Sequence, residues 1–374
     1  MASKVAIKKC LDYQAQNVER ALREALNLIG GITSFIKPNS RVLLKPNLLM
    51  AIEPDRAITT HPEIVRAVVH ILKEINAEIY LGDTPSVFGK SEDLAIEEIY
   101  KKTGIYKIAS EEGIKLVELR QKNFKKGLPL TGFLDNVDAV VNIPKFKTHG
   151  LMILTGAVKN LFGLIPGLSK SEMHKKYFKA HEFAAMLVDV YQAVLPAINI
   201  VDAVEVIEGD GPATSGEKRR AGLIVAGADA VAVDSVLARL MNLMPGDIPV
   251  INEAQKRDLG NSSLASLEVL GESLDDVIIP GFKLPKTSLV YKIPKPAFNL
   301  IKRLLDYRPQ INPKICIRCK KCQTICPKQV ITIEPKIKID YSGCIRCFCC
   351  QEVCPVNAIS VKRSLAARIL GMRG

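Results

Sequence analysis

Cys316-Ile317-Arg318-Cys319-Lys320-Lys321-Cys322-Gln323-Thr324-Ile325-Cys326-Pro327 and Cys344-Ile345-Arg346-Cys347-Phe348-Cys349-Cys350-Gln351-Glu352-Val353-Cys354-Pro355 each contain C-x2-C-x2-C-x3-C-P. At this spacing the first three thiolates hold one [4Fe-4S] cluster and the fourth reaches across to the other. The spacing therefore assigns Cys316, Cys319, Cys322 and Cys354 to one cluster, and Cys344, Cys347, Cys350 and Cys326 to a second. Structural zinc is the competing use of such thiolates. It takes two separated C-x2-C knuckles and has no use for a doubled four-cysteine run ending in proline. Cys349 belongs to neither quartet and reads as a packed thiol, with a spare ligand or a redox-sensitive thiol as the alternatives. Val330-Ile331-Thr332-Ile333 and Ala358-Ile359-Ser360-Val361, one after each run, read as short matching strands.

Nine of the ten cysteines lie between Cys316 and Cys354, a concentration that points to metal and not to a disulfide framework. The remaining one, Cys10, reads as a core residue. Residues 313–362 resemble the bacterial two-cluster ferredoxins, and all eight ligands are present. The resemblance implies electron transfer at low potential. The neighbouring Arg318, Lys320, Lys321, Lys328 and Arg346 would shift that potential upward.

Upstream, short β-branched runs alternate with amphipathic helices. The strands are expected at 5–7, 41–44, 78–81, 139–142, 198–201 and 223–226, and the helices at 17–28, 62–75, 94–102, 181–195 and 230–241. Such alternation predicts an α/β fold with a large, mainly parallel sheet, followed by a small ferredoxin-type α+β domain. The expected boundaries are 1–284 for the α/β domain, 285–312 for a proline-containing basic linker, 313–362 for the iron-sulfur domain and 363–374 for a basic amphipathic tail. The linker and the tail each carry a short basic amphipathic stretch, expected to pack on the large domain or, as the weaker alternative, to touch an anionic membrane surface.

Polar residues follow the strands. Lys45-Pro46-Asn47, Gly82-Asp83, Lys145-Phe146-Lys147-Thr148-His149 and Glu208-Gly209-Asp210 come from four strand ends, where open α/β sheets bind ligands. Thr60 or His61 is placed to cap a helix that begins at Pro62. Lys45, Asn47, Thr60, Lys159 and Asp210 are the expected substrate-binding groups, with the lysines offering charge to a carboxylate or phosphate. Lys145, Lys147, His149 and Asp83 are the expected catalytic groups, His149 as a proton carrier near neutral pH. A structural, hydrogen-bonded histidine is the open alternative. Asp83, Asp202 and Asp210 could bind a divalent cation or act as bases.

Lys45-Pro46-Asn47, Thr60-His61-Pro62, Gly82-Asp83, 143–149 (IPKFKTH), 156–163 (GAVKNLFG) and Glu208-Gly209-Asp210-Gly211-Pro212 together resemble the domain of unknown function 362 family. That resemblance implies an iron-sulfur protein whose large domain is joined to a C-terminal ferredoxin module. It adds little on chemistry.

Composition narrows the remaining classes. The chain has 374 residues, is 48% hydrophobic and carries a formal charge of +13, staying basic once eight thiolates are counted on two clusters. No P-loop and no strand-to-helix G-x-G-x-x-G occurs, so a nucleotide cofactor is not indicated. With no Trp and 5% aromatics there is no stacking platform for nucleic acid. No run is long enough for a membrane span and the first residues do not read as a leader, which predicts a cytoplasmic protein. The reading that follows is an iron-sulfur oxidoreductase serving a small anionic substrate, fed by a redox partner protein or low-potential donor. The alternative is a non-catalytic electron carrier or maturation partner.

Overall fold

The computed structural model describes residues 2–84, 92–288 and 307–364. Among them, strands β1 (Lys4–Lys9), β2 (Arg41–Pro46), β3 (Glu78–Leu81), β4 (Lys115–Leu116), a separate β5 (Lys122–Lys125) and β6 (Leu128–Thr131) hairpin, β7 (Ala139–Ile143), β8 (Lys145–His149), β9 (Ile153–Thr155), β10 (Ile198–Gly209), β11 (Gly216–Gly227) and β12 (Glu268–Gly271) alternate with helices. The helices are α1 (Ala15–Leu28), α2 (Pro62–Lys73), α3 (Glu92–Lys102), α4 (Ile105–Glu112), α5 (Ala157–Asn160), α6 (Gly167–Lys176), α7 (Ala180–Val194), α8 (Ala230–Leu240) and α9 (Pro249–Lys256). The main sheet runs β12-β1-β11-β10-β7-β2-β3-β4, with β8 beside β10 and β9 beside β8. From β10 through β7, β2 and β3 to β4 all pairs are parallel, and the β10–β11–β1 side is antiparallel.

Side-chain alternation splits the core between the two faces of this sheet. Val5, Ile7, Leu43, Val201 and Val225 pack under α7, α8 and α9. Ala6, Val42, Leu44, Ile200 and Ile224 pack under α1 and α2. The five expected helices are all present. α2 begins where the sequence places it: Pro62 opens the first turn, and the His61 ring nitrogen Nδ1 accepts the Glu63 N–H at 3.2 Å.

Two strand readings change. The segment after the fourth strand is not a loop: Pro144 interrupts β7, and the chain resumes as β8, pairing in parallel with β10. The fifth strand does not end at Val201 either, because β10 and β11 form a hairpin whose arms are each twelve residues long. Asp202 therefore lies within a strand, and Asp210 lies at the hairpin tip.

The iron-sulfur region has its own core around Ile311, Ile331, Ile333, Ile339 and Ile359. Here β13 (Tyr307–Ile311) pairs antiparallel with β16 (Ile359–Arg363), and β14 (Ile331–Thr332) with β15 (Lys338–Ile339). The two expected strands each find a different partner. One of those partners, β13, lies N-terminal to residue 313. The linker's amphipathic stretch at 298–305 and the tail beyond Ser364 lie outside the described residues. No helix among the described residues is long and apolar enough to cross a membrane.

The module is docked. The hairpin tip between β10 and β11 reaches it through Thr214 Oγ1, which donates to Cys354 O at 2.8 Å, and Ser215 Oγ, which donates to Asn357 Oδ1 at 2.6 Å.

Candidate functional site

β8 places Lys145, Lys147 and His149 on one face by its two-residue period, while Phe146 turns away to stack on Phe282 at 5.7 Å. Every residue of β8 is buried. A buried ammonium is expensive unless its charge is met, so the partners of each lysine decide what it can do.

Lys145 is met. Its Nζ lies 2.8 Å from Asp202 Oδ2 and 2.7 Å from the Tyr13 hydroxyl, with both ionic side chains fully buried. Tyr13 donates to Asp202 Oδ1 at 2.9 Å and stacks on His61, ring centres 3.6 Å apart. His61 donates its backbone N–H to Asp202 Oδ2. Lys45 is also met, with Nζ 2.8 Å from Asp83 Oδ1 and 2.6 Å from Pro46 O. Asp83 Oδ2 in turn accepts the Leu48 N–H. Gly163 passes so close that a Cβ there would collide with both Asp83 and Lys45. Thr60 stitches two strand ends, accepting the Asn47 N–H and donating to Ile143 O, while His61 does the capping.

Lys147 has only neutral partners, Asn47 Oδ1 at 2.8 Å and Ile58 O at 2.6 Å. Burial first, then the neighbouring charge of Lys159, pushes its amine well below the usual lysine range. Asn47 passes this contact into a buried amide chain: its Nδ2 donates to Asn160 Oδ1, Asn160 Nδ2 to Asn142 Oδ1, and Asn142 Nδ2 to Asn199 Oδ1. Asn160 Oδ1 also accepts from Lys45 Nζ at 3.3 Å, so one amide ties the two lysine environments together.

Lys159 sits on α5, whose first N–H groups point at a carboxylate. Asp234 takes Ala157 N at 2.5 Å and Val158 N at 3.1 Å, and a Cβ on Gly156 would strike the same carboxylate. Burial raises the Asp234 carboxyl to about 7 against the pull of those N–H groups. Lys159 makes no hydrogen bond or ion pair among the described residues, and its amine, lowered by burial, faces Glu352 and the Cys349 thiol.

His149 closes the site. Its Nδ1 accepts the N–H groups of Leu151 and Met152, both at 3.1 Å, which leaves the proton on Nε2. That nitrogen lies 2.9 Å from Glu352 Oε1, off the line of a well-formed hydrogen bond. Burial lowers the imidazole to about 4. His174 of α6, stacked on Phe183 and edge-on to Phe162, is lowered to about 4 for the same reason and faces Glu352 as well. Burial alone would raise Glu352, but His149, Lys159 and His174 outweigh it and hold the carboxyl at about 2.

Glu352 stands between Cys350 and Cys354, so the site ends on the iron-sulfur loops. Those loops suit the group that their spacing implies. Cys319, Cys316 and Cys354 lie near enough to act on the Cys322 thiol, and Cys347, Cys322, Cys344 and Cys326 on the Cys350 thiol, an arrangement compatible with the crossed quartets. Both loops turn alike, with positive φ at Arg318 and Lys320 and again at Arg346 and Phe348. Backbone N–H groups also reach sulfur, from Arg318 to Cys316 and from Ala358 to Cys354. Cys319 is exposed beside exposed Ile315 and Ile317, whereas Cys347, Cys349, Cys350 and Cys354 are buried.

Lys45, Asn47, Thr60, Asp83 and Lys147 thus form one connected cluster with Lys159, unpaired among the described residues, next to Asn160, and Lys145 belongs to a neighbouring closed pair. Asp210 is not part of it: its carboxylate holds Lys286 at 2.8 Å and the Lys286 N–H at 2.9 Å. The divalent cation finds no ligand set, since Asp83 and Asp202 each serve a lysine. Among the described residues no group of three His, Cys, Asp or Glu side chains surrounds a single ion. Sequence reasoning passed over Glu352, His174, Asp234, Tyr13 and the amides Asn142 and Asn199. A polar residue inside a β-branched run was a signal for Asn142 and Asn199. For His174 there was none.

A family model described as a domain of unknown function matches residues 42–239, and one for a 4Fe-4S dicluster domain matches residues 315–358. A thylakoid-associated protein of Synechocystis sp. is 33% identical over 293 residues, covering 76% of this chain and 89% of that one. The apoprotein of lactate racemase from Thermoanaerobacterium thermosaccharolyticum aligns with 64% of this chain at 11% identity and a TM-score of 0.39, and the chain spans 57% of that structure.

Proposed function

We propose, starting from the fact that this chain belongs to the DUF362 family and carries a 4Fe-4S dicluster domain, that it is an oxidoreductase serving a small anion at the junction of its two domains. The observation that carries this reading is the 2.9 Å contact between His149 at the end of β8 and Glu352 between two ligand cysteines. It joins the basic cluster of the large domain to the loops of the iron-sulfur module.

Two [4Fe-4S] clusters on the eight cysteines would supply one-electron transfer there. The chain's own residues do the rest. Lys147 and Lys159, which pair with no carboxylate among the described residues of the large domain, offer their N–H groups to an anion, and an anion bound there restores their positive charge. His149, neutral with its hydrogen on Nε2, offers a hydrogen bond at the same place, and Asn47 orients Lys147. Lys45 and Lys145, each satisfied by an aspartate, hold the cluster's shape and do not touch substrate.

The two ligand loops divide the work. The exposed one, with Ile317 60% exposed and Lys314, Arg318, Lys320, Lys321 and Lys328 around it, suits an acidic redox partner. The buried one faces the large domain. The closure of Lys45 and Lys145 by internal pairs favours a second reading, a non-catalytic carrier or maturation partner whose large domain only docks another protein.

Dithionite-reduced, cluster-loaded protein mixed anaerobically with a panel of small carboxylates and phosphate esters separates the two readings. The oxidoreductase reading expects at least one anion to reoxidise the protein, seen in the visible absorbance, with Lys147→Ala and Lys159→Ala slowing that step about tenfold or more and sparing reduction. No reoxidation by any anion, or full rates in both variants, would leave the carrier reading.

A further inference from the structure

Two of the four lysines on the buried face have no carboxylate partner among the described residues of the large domain. Lys45 has Asp83 and Lys145 has Asp202, each at 2.8 Å. Lys147 touches only neutral oxygens, and Lys159 makes no ion pair among the described residues. His149 turns its Nε2 toward the iron-sulfur module. The carboxylate beside them comes from the other domain: it is Glu352, 2.9 Å from His149 Nε2 and 13% exposed, and its charge also acts on Lys147, Lys159 and His174. A carboxylate delivered by a separate module into a basic recess imitates the way a small carboxylate would enter it.

We infer that Glu352 occupies the position of a substrate carboxylate, so that the docked iron-sulfur module holds the anion site shut and a small carboxylate or phosphate enters by displacing it. This rests on the reading above, that the recess takes an anion, and it names the competitor. Among the described residues, polar contacts that seat the module run from Thr214 to Cys354 O, from Ser215 to Asn357 and Ile359 O, and through Glu352 itself. A tethered group competes at an effective concentration in the millimolar range, so an incoming anion of ordinary affinity sees a site already filled. An anion that wins this competition moves the buried ligand loop relative to the basic recess, which couples substrate entry to the position of the electron-transfer module.

The test uses the full chain with its clusters loaded, titrated calorimetrically with acetate and with inorganic phosphate. Glu352→Gln keeps the shape and removes the competing charge. It is expected to bind one of these probes at least about tenfold more tightly than wild type, and adding Lys159→Ala should abolish the gain. Glu352→Asp, which keeps the charge and shortens its reach, should fall between the two and serves if Glu352→Gln loses its clusters. Equal binding by wild type and both Glu352 variants would overturn the inference, as would a gain that survives Lys159→Ala. If the Glu352 variants bind no better while Lys147→Ala and Lys159→Ala still slow reoxidation by a small anion, only the inference fails. If no variant binds an anion and none reoxidises the protein, the proposed function fails with it.

Discussion

His149 Nε2 stands 2.9 Å from Glu352 Oε1, and through this pair the last residue of β8 meets the turn between Cys350 and Cys354. Removing the imidazole leaves a nearly buried carboxylate short of one partner, a loss of roughly 1–3 kcal/mol for groups of this kind. His149→Ala should therefore weaken the seating of the module while leaving both ligand quartets intact. Limited proteolysis of the loaded protein should cut faster between the domains, at unchanged iron content. Unchanged cleavage would show that the hairpin-tip contacts seat the module without it.

Lys45 and Asp83 are a matched pair in a dry setting, and a matched pair is broken more expensively than it is replaced. Asp83→Asn or Lys45→Met alone should cost about 3–5 kcal/mol, and Lys45→Met with Asp83→Leu should cost distinctly less than the sum. Gly163→Ala, whose new methyl collides with both side chains, should resemble the single variants. Urea unfolding checks all four. Additive losses would mean that the two charges do not stabilise each other.

Asp234 makes stability depend on pH. Its carboxyl is raised by burial from 3.8 to about 7, so the folded chain keeps a proton that the unfolded chain has released. Its contribution is full below the ordinary carboxyl range and is lost as pH rises through about 7. His149 and His174, lowered to about 4, act in the opposite sense: their contribution is present above 6.5 and lost as pH falls through about 4. The difference between Asp234→Asn and wild type isolates the carboxyl. The stability of the variant relative to wild type should rise between pH 4 and 7, and a constant difference would show that the carboxyl titrates normally.

Cys349 is buried beside Cys347 but lies outside both quartets. Cys349→Ser should keep the full iron content, whereas Cys350→Ser should lose iron. Loss of iron in both would make Cys349 a ligand.

The cysteine quartets were legible because ligand spacing is a local property, and the alternation of strands and helices was legible because each element carries its own period. The site was half legible. IPKFKTH revealed its lysines and its histidine but not that they lie in a strand, because Pro144 hides the restart and the pairing partner β10 is more than fifty residues away. Asp210 misled because a Gly-Asp-Gly tip looks alike whether it binds a ligand or a lysine of its own chain. Which lysines are neutralised depends on Asp83, Asp202 and Glu352, contacts that only the folded chain creates. The role of Glu352 was hidden among the cysteines that surround it.

The claim on which the rest depends is that the eight cysteines hold two clusters, one loop outward and one against the large domain. Iron and acid-labile sulfide analysis of anaerobically purified protein, with EPR of the dithionite-reduced state, tests it most directly. The account predicts about eight iron and eight sulfide per chain and the split signal of two interacting reduced clusters. Zinc in place of iron, or iron for a single cluster, would contradict it.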